Sequence, residues 1–81
     1  MKNIKEQLRE YLDIKLRLCG KYMNEEQDFY LAKAQMEQAV GAVEFISVTC
    51  HDINLAHEAM DTYLQYYEQE FYKTLFPEVE A

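Results

Sequence analysis

The stretch Phe45-Ile46-Ser47-Val48-Thr49-Cys50-His51-Asp52-Ile53-Asn54 decides how the chain is read. Its first half is rich in β-branched residues and suits a strand as well as a helix. A lone strand would have no mate, because Glu, Gln, Leu, Ala, Met and Lys dominate on both sides and favour helix. The stretch is therefore taken as the end of one helix, a break, and the start of the next. Asp52 suits an N-cap, either with Thr49 or through its own following amides. A helical 49–54 would instead merge two helices into one rod of about 50 residues, at 1.5 Å per residue a shape that needs a partner.

Upstream of this stretch, Phe29, Ala32, Met36, Ala39, Val43, Ile46 and Cys50 recur at intervals of three and four. That is the pattern of one buried helix face. Leu31, Ala34 and Phe45 fall on the reverse side, as expected of a central helix. Ala32, Ala39 and Gly41 leave room for close approach. This second helix is expected over 25–48, with Asn24 as its cap and Gln27 reaching back. The first helix is expected over 3–23. Ile4, Leu8, Tyr11, Leu12, Cys19, Tyr22 and Met23 share a face, and Gly20 weakens the last turn. Lys15 sits in the middle of that face, its stem covering apolar surface while the amine reaches water.

Downstream, Ile53, Ala56, Met60, Tyr63, Leu64, Tyr67, Phe71 and Leu75 form an apolar stripe that Pro77 ends. The third helix is thus expected over 53–76, with a frayed tail over 77–81. The fold class is all-α: one domain spanning 1–81, a three-helix antiparallel bundle with a long second helix, assembling as a dimer. A chain of 81 residues buries a modest core and gains much from a second copy.

Charge is unevenly divided. Residues 1–23 carry six basic residues against three acids, whereas 24–81 carry Lys33 and Lys73 against twelve acids. A basic first helix is expected to lie against acids of the third helix, or against Glu37 and Glu44, in the same chain or a second copy. The net charge of −7 disfavours direct nucleic-acid binding. The basic residues of the first helix (Lys2, Lys5, Arg9, Lys15, Arg17, Lys21) also do not form one face. No stretch approaches the roughly 20 apolar residues of a membrane span. Two cysteines, Cys19 and Cys50, are too few for a disulfide framework, and a reducing, cytoplasmic setting is expected.

Three functional readings follow. The first is a non-enzymatic interaction or regulatory protein that packs helices against another protein. Leu31, Phe45, Tyr66 and Tyr72 are its outward apolar anchors, and Glu37 and Glu44 select a basic partner. The second is a metal-dependent bundle in which His51, His57, Glu58 and Asp61, with Cys50, gather near the break and are completed in a dimer. The spacing matches neither a zinc finger nor HExxH, and no cofactor is expected. The third is a structural spacer or assembly subunit built on one long helix, should 49–54 be helical and merge the second and third helices. An enzyme lacks support: Cys50 and His51 are helix neighbours that point apart, and no phosphate loop or triad is visible.

Overall fold

The computed structural model describes residues 3–49 and 51–77. Lys2, Cys50 and the tail over 78–81 lie outside them. The described residues form three helical arms: α1 (Ile4–Asn24), α2 (Phe29–Thr49), and a third arm of α3 (Ile53–Thr62), a π-helical turn (Tyr63–Tyr67) and α4 (Glu68–Leu75). The long second helix and the all-α bundle are as the sequence predicts.

α1 begins where Asn3 Oδ1 accepts from the Glu6 amide at 2.9 Å. Glu6 in the first turn and Lys21 in the last both suit the helix dipole. Gly20 does not end the helix, which continues to Asn24. Asn24 is therefore not the cap of α2. The Glu25 amide still bonds the Lys21 carbonyl (2.8 Å), and Gln27 adopts a left-handed φ of 51°. That residue turns the Asp28 amide back onto the Tyr22 carbonyl (2.8 Å). Asp28 then caps α2, its Oδ1 accepting from the Leu31 amide at 3.1 Å. The expected start of α2 is four residues early because the last turn of α1 claims them.

The ambiguous end of α2 is helical. Ser47 Oγ donates to the Val43 carbonyl (2.8 Å) and Thr49 Oγ1 to that of Phe45 (2.6 Å). Each hydroxyl bonds one turn back, inside the helix. Asp52 caps α3 through the amides of Asn54 (3.0 Å) and Leu55 (3.2 Å). The Thr49 hydroxyl bonds back to Phe45 rather than forward to the α3 amides. Pro77 follows directly on Phe76, whose backbone (φ −131°, ψ 63°) has left the helix.

The core joins Leu8, Leu12 and Cys19 of α1, Ala32, Ala39 and Val43 of α2, and Tyr63, Tyr67, Phe71 and Leu75 of the third arm. Ala32 and Ala39 are fully buried, as close packing requires, but Gly41 faces open space. The buried row of the third arm is Ala56, Ala59, Tyr63, Tyr67, Phe71 and Leu75. Ile53, Met60 and Leu64, expected in that row, are exposed. The π turn explains the difference. From Ala59 onward the buried residues are spaced by four throughout, and each such step rotates by about 40° on an ordinary α-helix. One wider turn, closed by the Glu68 amide on the Tyr63 carbonyl, takes in an extra residue and returns part of that rotation.

α2 packs closely on α1 and on α3, whereas α4 leans mainly on α1 and touches α2 only lightly. The third arm thus crosses from one neighbour to the other. It leaves a gap between α2 and α4.

Candidate functional site: a groove between α2 and the third arm

That gap is an open groove of about 230 Å³. Met36, Val40, Val43 and Glu44 line it from α2, and Met60, Tyr63, Leu64, Glu68 and Tyr72 from the third arm. Val43 and Tyr63 are buried in its floor, Met36 and Val40 are half-buried, and Met60, Leu64 and Tyr72 are exposed on its far wall. The wall is a second four-residue row, Met60, Leu64, Glu68, Tyr72 and Phe76. It runs beside the buried row and is held in line by the same π turn.

Rings close the end of the groove beyond Tyr72. Tyr72 lies 6.2 Å from Phe76, Phe76 lies edge-on to Phe29 at 5.8 Å, and Phe29 lies edge-on to Tyr30 at 6.3 Å. The Phe29–Phe76 pair bridges the start of α2 and the end of α4, where the helices otherwise diverge. T-shaped contacts of this kind add to the stabilisation from burial.

The electrostatics are one-sided. Among the described lining residues, Glu44 and Glu68 are the charged groups, and both are acidic. Burial, followed by the neighbouring Glu68 charge, pushes the Tyr63 hydroxyl up to about 12. Tyr63 therefore remains neutral at physiological pH, and the charge of the groove comes from Glu44 and Glu68. Methionines in the walls give a surface that adapts to what packs on it.

Of the anchors expected from sequence, Tyr72 and Glu44 meet in this groove. Leu31, Phe45, Tyr66 and Glu37 are exposed but do not line it. Tyr66 packs edge-on against Tyr67 at 5.0 Å. Tyr67 turns to α1, donating to Asp13 Oδ1 at 2.5 Å with the Arg9 carbonyl oxygen at 3.4 Å. Phe45 lies near the α2–α3 break, where Val48 and Ile53 are also exposed; 68%, 84% and 67% of the three residues is accessible. The sequence reading missed Met60, Leu64 and Glu68 as a wall. Their signal was the four-residue spacing shared with Tyr72 and Phe76.

The residues near the break do not gather. Glu58 pairs with Lys5 at 3.3 Å, joining the basic first helix to an acid of the third arm as charge division predicts. Both side chains are well exposed, so the pair sets orientation more than stability. Among the described residues, no three His, Cys, Asp or Glu side chains converge to hold a metal. Cys50 lies outside that set. His51, His57 and Asp61 are exposed.

Lys15, expected to send its amine to water, turns instead to α2. Its Nζ donates to Gln38 Oε1 and to Gln35 Oε1 (3.3 Å) and lies 5.3 Å from the centre of the Tyr11 ring. Gln35 is buried, and its Nε2 donates to the Leu31 carbonyl at 3.3 Å. A polar bridge thus ties α1 to α2 where the amine was expected to reach water. No helix among the described residues is long and apolar enough to cross a membrane. No family model, curated protein or solved structure matches the chain.

Proposed function

We propose that this chain is a small non-enzymatic interaction protein, regulatory in role, that works by packing helices against another protein. The observation that carries this reading is the groove: an apolar floor and wall with acids and no lining cation among the described residues. At about 230 Å³ and open along its length, it is smaller than the roughly 300–1,000 Å³ of most small-molecule sites. It suits side chains of a protein partner. Its acids favour a basic partner surface, which speeds encounter and excludes acidic competitors.

Two further elements belong to the proposal. The chain pairs with a second copy through the apolar end at Phe45, Val48 and Ile53, away from the groove. It works in a reducing, cytoplasmic setting, in keeping with the free buried thiol of Cys19.

Native mass spectrometry of the purified protein tests this reading. The expected species is a metal-free dimer that Phe45→Glu converts to monomer with its helical circular dichroism intact. A wild-type monomer removes the dimer from the proposal. Stoichiometric zinc, manganese or iron retained through purification overturns the interaction reading in favour of a metal-dependent bundle built on His51, His57, Glu58 and Asp61.

A further inference from the structure

We propose that the occupant of the groove is a single basic amphipathic helix of another protein, about three turns long, lying along the third arm. This rests on the reading of the groove as a protein-docking surface and adds the occupant's class, size and charge. Length is set by the wall. From Met60 to Tyr72 is twelve residue steps, about 18 Å of helix at 1.5 Å per step. The aromatic bridge between Phe29 and Phe76 then limits the groove at one end. A helix that presents apolar residues at i, i+3, i+4 and i+7 matches a floor of Val43 and Tyr63 flanked by Val40 and Leu64.

Charge disfavours the simplest alternative, a second copy. Pairing two grooves about a two-fold axis brings Glu44 and Glu68 of one copy into a groove that carries the same two acids, which is repulsive. The basic helix of a second copy is also a poor fit. The apolar face of α1 is already spent on Leu8, Leu12 and Cys19 of its own core. Its exposed large apolar residues are Ile4 and Ile14, nearly three turns apart. Neither arrangement fills a continuous apolar floor. A partner helix with lysine or arginine beside its apolar stripe meets both acids and fills the floor.

The test uses three fluorescein-labelled peptides of 14 residues titrated into the purified full chain. One is a Leu/Lys amphipathic helix, the second its Leu/Glu twin, and the third a scrambled Leu/Lys peptide with the same charge but no stripe. The proposal expects the Leu/Lys helix to bind best by fluorescence polarisation, at least about tenfold ahead of the other two. Glu44→Gln and Glu68→Gln each weaken it by about two- to fivefold, the range for an exposed ion pair. Tyr72→Ala weakens it by about tenfold or more, as for an aromatic anchor, with helicity unchanged. Equal binding of the Leu/Lys and Leu/Glu helices, both lost in Tyr72→Ala, overturns the basic occupant but leaves the docking groove standing. Equal binding of the scrambled peptide, or binding indifferent to Tyr72→Ala, means that only net charge is recognised and overturns both. A dimer that Leu64→Glu dissociates shows a second copy in the groove and overturns the occupant named here.

Discussion

At the scale of single residues, several positions have separable consequences. Gly20 and Gly41 lie within α1 and α2, neither has a positive φ, and an added Cβ would meet nothing within 4 Å at either. Each Gly→Ala change is expected to stabilise the fold by about 0.5–1 kcal/mol, measured as a shift in urea midpoint. Neither glycine could be placed on an open face from sequence, since Gly20 resembles a helix stop and Gly41 a close-packing site. Lys15 and Gln35 were equally hard to pair, because the pairing depends on the rotation of α2 against α1. Gln35→Leu deprives the half-buried amine of one acceptor and is expected to cost about 1–2 kcal/mol. The double change Lys15→Met with Gln35→Leu is expected to recover most of that loss, since removing both partners leaves no unmet polar group.

Cys19 and Tyr63 give the fold a limit on the alkaline side. Burial raises the Cys19 thiol from 9.0 to about 11, and burial with the Glu68 charge raises Tyr63 from 10.0 to about 12. Both folded values lie above the unfolded ones, so the unfolded chain releases these protons first. Their contribution is intact below pH 9 and is lost as pH rises through 9–11 for Cys19 and 10–12 for Tyr63. Urea midpoints are expected to hold level up to pH 9 and fall beyond it. The fall is expected to begin nearer pH 10 in Cys19→Ala, where Tyr63 becomes the first of the two groups to titrate.

At the scale of elements, the π turn carries the most information. Three helices, their order and the Asp52 break were legible because caps and apolar spacing are local signals. The π turn was not, although its trace is present: Ala59, Tyr63, Tyr67, Phe71 and Leu75 keep a four-residue interval that a 3.6-residue helix cannot hold on one face. Reading that row at mixed three and four intervals placed Met60 and Leu64 inside. They form the groove wall instead. Deleting exposed Gln65 within the π turn is expected to leave a regular α-helix with both rows in register and a stability change below about 1 kcal/mol. Deleting exposed Glu37 from α2, where the buried spacing already fits an α-helix, rotates Ala39 and Val43 out of the core and is expected to abolish cooperative unfolding. Thermal melts followed by circular dichroism separate the two outcomes.

At the scale of the whole molecule, shape and charge point the same way. The radius of gyration, 13.3 Å, exceeds the roughly 11.7 Å expected of a compact chain of this length, and the extents are 39 × 28 × 18 Å. An elongated, thin bundle with one oblique arm buries one side of α2 well and leaves the other partly open. The division of charge was visible in the sequence, and the Lys5–Glu58 pair is one of its consequences. The groove was not visible, because it arises from the crossing of the third arm from α2 to α1 and no single segment encodes it. The most direct measurement is an amide NMR spectrum of the labelled chain with and without the Leu/Lys helix. Perturbations concentrated on Met36, Val40, Leu64, Glu68 and Tyr72 are the predicted result. Perturbations confined to α1 or to the Phe45–Ile53 end, with the groove residues unmoved, would contradict the account.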